Sequence, residues 1–80
     1  MPRFFFDILD ANANERDEVG VACADLEAAV VEAKRVLPSI AIDELRRDGD
    51  YKNYMVMVRD EDGQAVYSAA LSFVGTRLIR

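Results

Sequence analysis

The spacing of apolar positions changes period twice along the chain. Arg3–Leu9 (RFFFDIL) alternates, with Phe4, Phe6 and Ile8 on one face and Phe5, Asp7 and Leu9 on the other. That period of two, in an aromatic-rich run, predicts a strand. The segment Asp10–Glu18 (DANANERDE) is polar and predicts a turn, because Asn and Asp side chains bond their own backbone. Val19–Cys23 (VGVAC) predicts a short second strand, with Gly20 weakening it or marking a bulge.

The period then becomes helical. Leu26, Val30, Ala33, Leu37, Ile40, Ala41 and Leu45 recur at steps of three and four. Asp25 is placed to cap the helix, Glu27 to face its positive end, Arg46 and Arg47 to suit its negative end, and Gly49 to stop it. Pro38 interrupts the pattern, since a proline inside a helix removes one hydrogen bond and clashes with the carbonyl four residues earlier. Either the helix kinks near Lys34, or a second helix starts at Pro38; the continuous stripe favours one kinked unit. Tyr51–Arg59 alternates again, Asp60-Glu61-Asp62-Gly63 is a hairpin turn, and Gln64–Thr76 returns as a strand. The expected fold is a single α+β domain over residues 1–80, ordered ββαββ. Its antiparallel sheet carries the helix across one face.

One helix covers one face of a sheet. Either Phe5 and Leu9 or their alternates must then lie on the uncovered side. Apolar surface left in this way commonly marks an interface. The expected contacts are Phe5, Leu9, Met55 and Met57, since aromatics and methionine are enriched at the centre of interfaces. The bland alternative is that the C-terminal tail or the far end of the helix covers them.

Composition narrows the chemistry. Fifteen acids against ten bases give a net charge of −5, and the 80 residues contain one cysteine, no histidine and no tryptophan. An internal disulfide and any imidazole mechanism are excluded. The acidic balance disfavours phosphate backbones, so no nucleic-acid partner is expected. A sheet-borne patch of Phe5, Tyr54, Arg3 and Arg59 is the conceivable exception, against the commoner role of Phe and Tyr as core. The lone Cys23 fits a reducing, cytoplasmic setting. No signal-like opening or ~20-residue apolar run points to secretion or a membrane.

Each tempting constellation has a plainer reading. Asp10-x-Asn12-x-Asn14 begins like a calcium loop, but Glu15 stands where glycine is needed and Val21 where glutamate is needed. Asp60, Glu61 and Asp62 are accounted for by the turn they make. Asp7 is a carboxylate within an aromatic strand. Pointing inward, it would have a raised pKa and need Arg3 or Arg59 as partner; otherwise it faces solvent or binds loop amides. Cys23 precedes a helix start that could activate a thiol, yet cysteine is more often a small buried hydrophobe. No catalytic residue, metal or cofactor is expected, and the domain is read as non-enzymatic.

Several spaced blocks form a recognisable pattern. They are Pro2-Arg3-Phe4-Phe5-Phe6-Asp7, Asp17-Glu18-x-Gly20, Asp25-Leu26-Glu27-Ala28-Ala29, Asp43-Glu44-Leu45, Val58-x-Asp60-Glu61-Asp62-Gly63 and Leu71-Ser72-Phe73. Together they resemble a family of small bacterial domains of unknown function whose members often begin Pro-Arg-Tyr-Tyr-Phe-Asp. This chain differs in having Phe for Tyr and in carrying Pro38. The resemblance implies one intact domain and assigns no catalytic residue. The first strand and the Asp25–Ala29 helix start are also similar to HicB-type antitoxin domains, which bind a small toxin. Two roles are therefore expected to compete: self-association as a homodimer with protein–protein contacts, or an antitoxin-like module that masks a basic partner protein.

Overall fold

The computed structural model describes residues 1–10, 14–48 and 50–79, with side chains described for all of these except residues 44–48. The elements in chain order are β1 (Arg3–Asp10), β2 (Asn14–Glu15), β3 (Val21–Ala22), α1 (Leu26–Asp48), β4 (Tyr51–Arg59) and β5 (Ala65–Val74). All described strand pairs are antiparallel. The sheet runs β2-β1-β4-β5, and β3 pairs with the start of β1 on the same side as β2. The α+β class and the helix between two groups of strands match the expectation from the sequence.

The expected second strand is split. Val21–Ala22 pairs with Arg3 and Phe4, while Asn14–Glu15, read from sequence as turn, pairs with Ile8 and Leu9. Two residues are too few to show alternation, so no periodicity could reveal β2. Gly20, just before β3, has a φ of +78°, which explains glycine there. Of the Asx-rich turn, residues 11–13 lie outside the described residues, and Asn12 of the calcium-like pattern with them. The Gly49 stop lies outside them too.

Helix α1 is one continuous element with Pro38 inside it, on the exposed side. Asp25 caps it as expected, its Oδ1 accepting the Ala28 N–H at 2.9 Å. The buried stripe is Ala29, Ala33, Leu37 and Ala41, a strict step of four. It shares Ala33, Leu37 and Ala41 with the expected stripe, and Ile40 packs beside it, but Ala29 takes the place of Leu26, which is 41% exposed, and of Val30, which is half-buried. Alanines at this contact let the helix axis come close to the sheet, an arrangement that larger Leu26 or Val30 would prevent. Opposite the stripe lie Phe4, Phe6, Tyr54, Val56 and Val58, with Ile8, Tyr67, Ala69 and Leu71 at the margin. Cys23 completes this core.

The β4–β5 hairpin closes through Asp60. Its carboxylate Oδ1 accepts the N–H groups of Asp62 and Gln64, both at 2.9 Å. Gly63 supplies the positive φ of +85°. A register shift between Val58 and Arg59 accommodates one extra residue on β5 at the start of the strand.

Candidate functional site

Because Phe4, Phe6, Tyr54, Val56 and Val58 pack under α1, the alternate residues of β1, β4 and β5 form the helix-free face. Pairing sets them in rows. Leu9, Met55 and Ala70 form one row, and Asp7, Met57 and Ser68 the next. Phe5 and Arg59 form the row beyond these, at one end of the sheet. Tyr51 opposite Val74, and Asn53 opposite Ser72, extend the face at the other end.

The Phe5 end is closed by charge. Arg59 Nε donates to Asp7 Oδ2 at 2.6 Å, and Nη2 donates to Asp7 Oδ1 and to the Asp17 carbonyl, each at 3.0 Å. Asp7 Oδ1 also accepts the Asp17 N–H at 2.9 Å. The Arg59 guanidinium lies 5.1 Å from the centre of the Phe5 ring, within cation–π range. Asp7 therefore takes Arg59 as its partner. The Arg59 hydrogen bond holds the Asp7 carboxyl below its ordinary range, outweighing the opposing effect of burial. The rise conditionally expected from the sequence does not occur, because the pair is bidentate and only partly desolvated.

Asp17 performs a second task beside it. Its Oδ2 accepts the Phe6 N–H, and its Oδ1 accepts those of Val19 and Gly20, all at 3.0 Å. Burial pushes its carboxyl up, but these three amides outweigh that and leave it below the ordinary value. Arg3 adds bonds to the Val19 and Gly20 carbonyls. The result is a seam along the outer edge of β1: β3 pairs at Arg3–Phe4, the Asp17 carboxylate meets Phe6, and β2 pairs at Ile8–Leu9. Sequence reasoning did not assign Asp17 this role. Only its place in the Asp17-Glu18-x-Gly20 block hinted at it.

The other interface candidates are spread unequally. Phe5 is half-buried beneath Arg59, so little of its ring is left for a partner. Leu9 and Met57 are half-buried and Met55 is 40% exposed. Leu9, Met55 and Ala70 line a shallow, mainly apolar hollow of about 450 Å³, rimmed by Asn53 and Ser72. The rim is fixed by hydrogen bonds from Ser72 Oγ to Asn53 Oδ1 and from Asn53 Nδ2 to the Tyr51 hydroxyl. A second hollow of about 380 Å³ lies between Phe6 and Ile8 of β1 and the loop Glu15–Val19.

The conceivable nucleic-acid patch does not assemble. Tyr54 is 1% exposed and lies on the helix side, away from Phe5, and Arg59 is already neutralised by Asp7. Cys23 is buried, and burial pushes its thiol up, with Glu32 and Asp25 adding to the effect. Among the described residues no three Cys, Asp or Glu side chains converge as metal ligands, and no helix is long and apolar enough to cross a membrane.

A family model, a domain of unknown function designated DUF6894, matches residues 3–72 of the chain. The protein belongs to that family. No curated protein and no solved structure matches it.

Proposed function

We propose that this DUF6894 domain is a non-enzymatic interaction module that self-associates and acts through protein–protein contacts. The observation that carries the reading is the helix-free face, where Leu9, Met55, Met57 and Ala70 leave an apolar surface that α1 does not reach. A non-catalytic role is supported by how the polar side chains are used. Asp7, Asp17 and Arg59 are spent on one another and on backbone amides, and the Cys23 thiol is buried with a raised pKa. A reducing, cytoplasmic setting is supported by the single cysteine.

The antitoxin-like alternative draws on the net charge of −5 and on the likeness of the first strand and the Asp25–Ala29 helix start to HicB-type domains. Among the described residues the acidic side chains do not cluster on the apolar face: Asp7 is paired with Arg59, and Asp10 alone borders the hollow at Leu9 and Met55. A basic partner would find a single carboxylate at the rim of the hollow rather than an acidic docking patch. Sedimentation equilibrium at high micromolar protein tests the main reading. A species of twice the 9.0 kDa chain mass is expected. A 9.0 kDa species at every concentration overturns it.

A further inference from the structure

The two edges of the sheet are treated in opposite ways. Along β1 the outer edge is dressed throughout by β3, the Asp17 carboxylate and β2. Strand β5 is the other edge, with β4 on one side and no described strand on the other. It runs for ten residues, Ala65–Val74 (AVYSAALSFV), with no charged residue, no proline and no glycine. Natural edge strands of this length are usually blunted by a charge, a proline, a bulge or a covering segment. Past the register shift at its start, β5 carries none of these in its sequence. Its backbone is a template about 33 Å long at ordinary strand rise.

We propose that β5 pairs antiparallel with β5 of a second copy, about a two-fold axis normal to the sheet, to form one continuous sheet. The inference rests on the self-association proposed above but places it at the β5 edge, so that the helix-free face stays outside the contact and is left for a protein partner. Two arguments commit the occupant to a second copy. The first is closure: pairing β5 with itself consumes the open edge and leaves the dressed β1 edges at both ends. The assembly then stops at two chains instead of growing into a fibre.

The second is charge. An acidic chain can approach itself only across a neutral or complementary surface. A two-fold keeps each residue on its own face of the sheet, so centring Ala65–Val74 on itself puts the axis at Ala69 or Ala70. Either register brings Arg77 of one copy alongside the Glu61–Gly63 turn of the other. Arg77 is 88% exposed on its side chain and held at one edge by Asp50, and Glu61 and Asp62 are exposed. The same contact is made twice by symmetry.

Both helices would lie on one side of the joined sheet. The two hollows at Leu9, Met55 and Ala70 would face the other side together, as one doubled surface.

Hydrogen–deuterium exchange and sedimentation on the intact chain, with paired charge reversals, test the geometry. Amides of β5 are expected to be protected at high micromolar protein and to exchange faster on dilution, while β1 amides are indifferent to concentration. Arg77→Glu is expected to weaken the dimer about three- to tenfold. Combining it with Glu61→Arg and Asp62→Arg is expected to restore the affinity. All three positions are exposed, so the fold is expected to persist. A dimer whose β5 amides stay unprotected, that ignores the charge reversals but is lost in Met55→Asp, overturns the edge pairing and leaves self-association standing. A monomer throughout overturns both.

Discussion

At the scale of single residues, the polar groups of this protein mainly serve as substitutes for missing backbone partners. Asp17 is the clearest case: one carboxylate stands where a neighbouring strand would otherwise meet Phe6. Asp7 and Arg59 fix the loop that carries it. Both carboxyls titrate below their ordinary range, so their stabilisation is complete above about pH 5 and is lost as pH falls below the unfolded value near 4. Urea midpoints measured from pH 6 to pH 2.5 should therefore fall steeply at the acid end. Asp7→Asn, which costs about 2 kcal/mol by losing charged hydrogen bonds, should flatten that fall. Gly20 belongs to the same knot. A Cβ there would lie 2.7 Å from Arg3 Cγ and 2.9 Å from Phe5 Cε2, at a φ that L-residues avoid. Gly20→Ala should lower stability by about 1–2 kcal/mol in chemical denaturation. Cys23, buried with a raised pKa, should react with a thiol reagent at neutral pH more slowly than an unfolded control.

At the scale of elements, the helix is the best-signalled part of the chain and also the one with a visible flaw. Its cap, its acidic first turn and its period were all legible in the sequence. The stripe was legible from Ala33 onward but not in its first turn. Hydropathy alone favours Leu26 and Val30, while close packing on a sheet favours Ala29, Ala33 and Ala41. Pro38 sits at an exposed position within the unbroken helix, where it cannot donate to the Lys34 carbonyl. Pro38→Ala should therefore raise the thermal midpoint and stabilise the fold by about 1–3 kcal/mol. Strand β4 was legible to the residue, because nine alternating positions flanked by turn signals allow one reading. Strands β2 and β3 were not, since two-residue pairings depend on partners far along the chain.

At the scale of the whole molecule, one helix on a five-strand sheet leaves a face and an edge over. The face is partly closed at Phe5 by Arg59 and is open at Leu9 and Met55. Among the described residues no strand pairs with the outer edge of β5. The self-association proposed at the β5 edge would make stability depend on concentration by mass action. The thermal midpoint of the wild-type chain should rise as protein concentration is raised from low to high micromolar. In Arg77→Glu the rise should be displaced to higher concentration.

The sequence by itself determined the fold class, the helix with its cap, the long hairpin and the exclusion of imidazole and disulfide chemistry. These are local properties: period, turn residues and composition. It also placed Phe5, Asp7 and Leu9 together on one face of the first strand. Only the tertiary structure decided which face the helix covers, that Arg59 rather than Arg3 answers Asp7, and that Phe5 is shielded while Met55 is not. Only the tertiary structure, too, set β5 at an open edge while Asp17 closes the opposite one. Those outcomes depend on contacts between residues as far apart as Asp7 and Arg59, and on close packing that selects alanine over larger neighbours. No local pattern encodes either.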